Sequence, residues 1–252
     1  MVFDPKYALN VLLKLCVASY VLDVSTMELP SGWRMVAPIV PSDSFVKLYT
    51  ASPSEKESKL FTIMRKYSNT FGYVFASDEQ VIVAFRGTKD IDDWIHDFDF
   101  QLTEYPYGAP EEKWGEVHSG ALGILSSAYT SILDSLAPFG QIENLLVTGH
   151  SLGAQIAVLA TPALKIATTD RPQMVNFAGP RAGDPDFAKM WDTSFEGFRI
   201  VNLPSDIVPE VPPPILYEHV AMEIVVHGGI ADPKTAHNLT EGYEKGLEKL
   251  CD

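Results

Sequence analysis

An α/β fold with a mostly parallel central sheet is what this sequence predicts, on three observations. Strand-like and helix-like runs alternate from about residue 71 onward, which requires crossover connections and parallel pairing. The chain has 252 residues, 46% of them hydrophobic and 21% charged, enough apolar material for one large core. No internal repeat and no Gly/Ser linker divides it, so residues 1–252 are expected to form a single domain.

The elements follow in order. Asp4 can cap a first helix with Pro5 in its first turn, and Ala8, Val11, Leu12, Leu15 and Ser19 share one face. Phe71–Ala76 and Gln80–Phe85 read as two strands joined by a tight turn at Ser77-Asp78-Glu79. A helix over Leu122–Leu136 precedes Pro138-Phe139-Gly140. A short strand at Asn144–Thr148 leads into an Ala- and Leu-rich helix over Leu152–Ile166. Gln173–Phe177, Phe198–Asn202 and Ile224–Val226 are strand-like, and Ala236–Leu250 reads as a closing helix.

Composition narrows the function. Nineteen basic against 33 acidic residues give a net charge of −14, and no Lys/Arg cluster exceeds a pair. A nucleic-acid phosphate track needs a basic patch, so a nucleic-acid partner is not expected. Strong attraction to anionic membranes is unexpected for the same reason. The apolar stretch from Tyr7 to Val21 is interrupted by Lys14 and too short to span a bilayer, and it lacks the features of a signal peptide. Neither a CxxC pair nor an HExxH motif supports a zinc site.

Residues 149–153 read Gly149-His150-Ser151-Leu152-Gly153, a G-x-S-x-G pentapeptide between a predicted strand and a predicted helix. That is the setting of a nucleophile elbow, where a strained turn tolerates only small neighbours and projects the serine hydroxyl above the sheet. The backbone N–H of Leu152 then faces a developing oxyanion at a helix N-terminus. A serine is a poor nucleophile near neutral pH and needs a histidine base oriented by an acid, in the chain order Ser, Asp/Glu, His. Among acids, Asp206 stands just past a strand-like run, where the sites of open α/β sheets assemble. Asp184, Asp186 and Asp192 are explained by a helix start or interior. Among bases, His219, His227 and His237 remain, with His237 opening the last helix 31 residues after Asp206.

At this point the chain resembles the class 3 lipases, the fungal-type triacylglycerol lipases of the α/β-hydrolase fold. The resemblance runs from about Phe71 to Tyr243. It rests on Val83-Ala84-Phe85-Arg86-Gly87-Thr88, Asp93-Trp94-Ile95 with Asp97, Val117-His118-Ser119-Gly120, the pentapeptide, Phe177-Ala178-Gly179-Pro180-Arg181-Ala182-Gly183-Asp184, and Asp206-Ile207-Val208-Pro209. It implies Ser151 as nucleophile, Asp206 as acid, His237 as base, and an oxyanion hole from Thr88 and Leu152, each such donor worth about 3 kcal/mol. His237-Asn238-Leu239 followed by Tyr243 is similar to the family's His-x-Leu-x-x-Tyr ending, with one residue more.

Residues 90–98 place Ile91, Trp94, Ile95 and Phe98 on one side of a helix, with Asp90, Asp92, Asp93 and Asp97 on the other. The resemblance makes this a lid; a fixed helix packed on the core fits the pattern equally well. Its acidic face predicts a preference for neutral lipid or soluble esters. Cys16 and Cys251 are similarly placed to a terminus-to-terminus disulfide of secreted fungal members. A bridge would imply secretion, and free thiols a cytoplasmic protein.

The expected activity is therefore a serine carboxylic-ester hydrolase, a triacylglycerol lipase first and a feruloyl-type esterase on soluble or aromatic esters second. A non-catalytic lipase-like binding protein is the reading from another class. The expected partner is a small-molecule ester or lipid, with transient contact at a lipid interface, no cofactor or metal, and a monomeric state.

Overall fold

The computed structural model describes residues 1–42, 69–88, 101–108, 111–229 and 231–252. The predicted amphipathic helix over residues 90–98, with Ile91, Trp94, Ile95 and Phe98, lies outside them. A seven-stranded sheet organises the rest, in the order β1-β2-β3-β6-β7-β8-β9. These are β1 (Arg34–Ile39), β2 (Gly72–Ala76), β3 (Val81–Phe85), β6 (Leu145–Gly149), β7 (Gln173–Phe177), β8 (Glu196–Asn202) and β9 (Met222–Val226). β1, β2 and β3 pair antiparallel, and from β3 onward every pair is parallel. A separate two-stranded ribbon joins β4 (Leu102–Glu104) to β5 (Glu116–His118).

Both faces of the sheet are covered, which is why its strands read as continuous apolar runs. Every residue of β2, β3 and β6 is buried. One face packs on α2 (Ser119–Leu136) and α3 (Leu152–Ala163), through Leu125, Ile132, Ile156 and Leu159. The other packs on α1, a helical run over residues 5–18, and on the C-terminal helices, through Leu12, Leu15, Phe177 and Leu247. Asp4 caps α1 by accepting from the backbone N–H of Lys6 and Tyr7, with Pro5 in the first turn as the sequence predicts. Ala8, Leu12, Leu15 and Ser19 are buried along the predicted face.

Two elements and one implied cross-link differ from expectation. α3 is buried on every side and stops at Ala163, continuing as a 3₁₀ turn at Leu164–Ala167. Pro162 lies inside it and cannot bond the carbonyl of Val158. Trp191, on α4 (Pro185–Ser194), donates its indole N–H to that carbonyl at 3.1 Å. The closing helix is broken into α5 (Pro233–His237), a π-turn at Leu239–Tyr243 and α6 (Glu244–Cys251). The break falls at Asn238, whose extended backbone and side-chain amide cap the next turn. The implied Cys16–Cys251 bridge is not made: both are free thiols. Cys16 points inward from α1 and lies 3.4 Å from the Thr148 hydroxyl on β6, and burial pushes its thiol up to about 12. Cys251 is half-buried on α6.

Among the described residues no helix is long and apolar enough to cross a membrane. The Pro162–Trp191 pairing makes a measurable prediction. Trp191→Phe strands the Val158 carbonyl and is expected to cost about 1–3 kcal/mol in urea unfolding. Adding Pro162→Ala, which restores a backbone N–H to that carbonyl, should recover part of the loss. Strictly additive effects would refute the assignment.

Candidate active site

Every group of the candidate site stands at the carboxyl end of the parallel strands. β6 runs into His150 and Ser151, and α3 starts at Leu152. Ser151 takes φ 61 and ψ −130, a region that side chains other than glycine rarely occupy. The surroundings impose it. A Cβ on Gly149 would lie 2.3 Å from the Gly153 carbonyl oxygen, and one on Gly153 would lie 2.3 Å from that of Phe85. Only glycine fits at either place, so strand and helix meet across a turn of no side-chain thickness. The Ser151 N–H donates to the Phe177 carbonyl at 3.0 Å and ties the turn to β7. Leu152 follows as the first residue of α3, fully buried.

Asp206 leaves β8 four residues after its end, its N–H bonded to the Asn202 carbonyl at 2.9 Å. The residue is 1% exposed. Its two carboxylate oxygens each lie 3.0 Å from His237 Nδ1. Oδ2 accepts the Tyr243 hydroxyl at 2.6 Å, and Oδ1 accepts the Val208 N–H at 3.0 Å. Burial pushes the carboxyl up, but the bonds from His237, Tyr243 and Val208 outweigh it and hold it below the usual carboxylate range. The π-turn explains how Tyr243 reaches. Its N–H bonds the Asn238 carbonyl five residues back, so the extra residue of the His237–Tyr243 spacing is looped out. Tyr243 also accepts from the Asn202 N–H at 3.2 Å.

A chain of bonds that the sequence did not suggest joins α1 to this site. The Gly87 N–H donates to the Tyr20 hydroxyl at 2.9 Å, and Tyr20 lies 2.7 Å from His150 Nδ1. His150 Nε2 lies 2.8 Å from the His237 carbonyl oxygen, so it carries the proton and Nδ1 accepts. Burial, with His237 beside it, pushes His150 down to about 3 and keeps it neutral. Its place inside the pentapeptide was the one available signal. Gly87 packs so closely that an added Cβ would sit 2.9 Å from Ser151 Cβ, which puts Thr88 beside the serine. Thr88, His150 and His237 line a cavity of about 330 Å³ together with Val17, Tyr20 and Leu239. Ser151 Oγ and His237 Nε2 are both buried, and neither has a hydrogen-bond partner among the described residues. The arrangement thus holds a histidine with Nδ1–H on a carboxylate and Nε2 uncommitted, beside a serine on a strained turn.

The family described as Lipase (class 3) matches residues 82–216, more than half the chain. The chain belongs to that family. The chain is 32% identical over 159 residues to a lipase of Rhizopus niveus, covering 58% of the chain and 38% of that relative. It is 28% identical over 216 residues to phospholipase A1-IIgamma of Arabidopsis thaliana, covering 66% and 49%. The matches thus span less than half the length of either relative. The Rhizomucor miehei triacylglyceride lipase structure superposes with a TM-score of 0.67 at 20% identity, over 93% of this chain and 83% of that one, which establishes the α/β-hydrolase fold.

The other candidate acids and bases are occupied elsewhere. Asp184 caps α4 by accepting from the Phe187 N–H, Asp186 lies in its first turn, and Asp192 accepts from the Ala221 N–H. His227 Nδ1 lies 2.9 Å from the Leu203 carbonyl. His219 Nε2 lies 2.8 Å from the Pro209 carbonyl, and burial between Arg199 and Arg181 pushes it down to about 3. His150 and His219 therefore stay neutral when folded and take up protons on unfolding below the ordinary histidine value of about 6.5. Stability should be level above about pH 7 and fall between about pH 6.5 and 3, by roughly 1.4 kcal/mol per pH unit for each histidine. Urea unfolding at pH 7, 6 and 5 measures that slope. His219→Gln should remove one proton from it, and an unchanged slope would refute the assignment.

Proposed function

We propose that this chain is a serine carboxylic-ester hydrolase in which Ser151, His237 and Asp206 act as nucleophile, base and acid. The observation that carries the reading is the pair of 3.0 Å contacts from His237 Nδ1 to the buried Asp206 carboxylate, beside the turn of Ser151. Asp206 fixes the tautomer in which Nε2 can accept a proton. His237 takes the Ser151 proton as Oγ bonds to the ester carbonyl carbon. The oxyanion gathers the N–H of Leu152 and the N–H and hydroxyl of Thr88. Collapse expels the alcohol, protonated by His237, and leaves an acyl-serine. Water, deprotonated by the same nitrogen, then releases the acid.

Triacylglycerol is the substrate class we favour. It is supported by family membership and by a net charge of −14, which disfavours anionic interfaces. The Arabidopsis relative supports a second reading, hydrolysis of a phospholipid acyl ester.

Initial rate on tributyrin, followed through its solubility limit, tests the substrate. A rise once droplets form is expected, and saturation before they form would point to a soluble-ester esterase. Faster turnover of phosphatidylcholine than of tributyrin would favour the second reading. Ser151→Ala should abolish turnover with folding intact, and Asp206→Asn should lower kcat on the order of 10⁴-fold by stabilising the wrong tautomer. Full activity in Ser151→Ala would refute the mechanism.

A further inference from the structure

Asp206 sits on a long connection between β8 and β9, whose first regular turn is a short 3₁₀ turn at Val208–Glu210. A carboxylate that must stay in register with His237 needs that connection fixed from outside as well as from the site. Arg181, which follows β7 at the kink of Ala178, grips it. Its backbone N–H donates to the Val211 carbonyl at 2.9 Å. Its Nη1 donates to the carbonyls of Glu210 at 2.6 Å and Pro212 at 2.8 Å, and its Nη2 lies 3.7 Å from the Glu210 carboxylate. With His219 on Pro209, four successive carbonyls, 209 to 212, are held by two residues. The backbone of Arg181 also reaches the helix that follows the serine. Its carbonyl accepts Gln155 Nε2 at 2.7 Å, and Gln155, fully buried, lies one turn along α3 from Ser151.

We propose that Arg181 is a positioning residue for the acid: it spans from the nucleophile helix to the Asp206 connection and sets the distance between them. This rests on the triad reading above. The chemistry fits the residue. The guanidinium holds two carbonyls from Nη1 while Nη2 faces the Glu210 carboxylate, a planar two-nitrogen arrangement that the single nitrogen of lysine cannot copy. Arg181 touches neither Asp206 nor His237; it acts through the 3₁₀ turn, whose Val208 N–H is bonded to Asp206 Oδ1. Loosening the grip lets the carboxylate drift from Nδ1. That weakens the stabilisation of the imidazolium formed in the reaction.

The test compares Arg181→Lys, Arg181→Gln and Gln155→Met with wild type on a soluble p-nitrophenyl ester below each variant's Tm. Arg199→Lys is the control: Arg199 pairs with Glu223 on β9, and the substitution keeps the positive charge that Glu210 and Arg181 feel. Both Arg181 variants should lose roughly tenfold to a hundredfold in kcat with KM changed less than about twofold, the cost expected of a small misplacement. Gln155→Met should lose less in the same direction. The acid limb of kcat/KM should shift, because the carboxylate is no longer held against His237 Nδ1. The downfield proton resonance of His237 Nδ1–H should shift in Arg181→Lys and stay in the control. A lowered Tm with kcat, acid limb and resonance at wild-type values would overturn the proposal. Ser151→Ala in parallel separates the two readings. Turnover surviving there overturns the triad and this proposal together. An inactive Ser151→Ala with unaffected Arg181 variants overturns this proposal alone.

Discussion

A carboxylate on a residue only 1% exposed would cost several kcal/mol if left without partners, and much of the fold near the sheet's carboxyl end supplies them to Asp206. His237 comes from the start of the closing segment, Tyr243 from a π-turn six residues later, and the Val208 N–H from the connection itself. Each donor is fixed in turn. Tyr243 is held by Asn202 N–H, and the side-chain amide of Asn202 bonds the Ala236 carbonyl at 2.9 Å and accepts the Gly228 N–H at 2.8 Å. Removing any one of these shortens the list of groups that keep the charge stable, which makes the region a unit rather than a set of independent contacts.

The two halves of the site obey different physics. The serine half is steric: two glycines and a positive φ put the hydroxyl at the head of α3, and little but close backbone packing holds it there. The acid–base half is electrostatic, an ionised carboxylate kept low by donors and a histidine aligned by it. Between them stands His150, neutral and bonded on both ring nitrogens, reaching Tyr20 on one side and the His237 carbonyl on the other. On the proposed mechanism its neutrality matters, because a second imidazolium 4.6 Å from the ring of His237 would oppose the charge that develops there.

How much of this the sequence made legible follows from range. The elbow is local, five residues between a strand and a helix, and its pattern is readable because sterics act over one turn. Asp206 and His237 were readable by chain order and strand ends, though three histidines remained open on residues alone. Tyr20, His150, Asn202 and Arg181 were not readable as partners. Tyr20 and His150 are 130 residues apart and no periodicity reports such a bond. Among elements, β1 escaped because Pro38 interrupts its pattern, which an edge strand tolerates. β4 and β5 escaped because three residues are too few to alternate. The broken closing helix was misread as continuous, since the π-turn preserves an apolar face while inserting a residue.

The chain distances in this arrangement bear on the order of synthesis. The strained serine is complete once α3 has emerged, yet the carboxylate finds its last donor only at Tyr243, and Tyr20 precedes its partner His150 by 130 residues. On the proposed chemistry a ribosome-bound chain through residue 236 carries a nucleophile with no base and an acid with an unfilled shell. On that chemistry hydrolysis requires docking of residues 233–251 onto β8 and β9. The candidate site is therefore assembled by tertiary docking rather than by any local stretch of sequence.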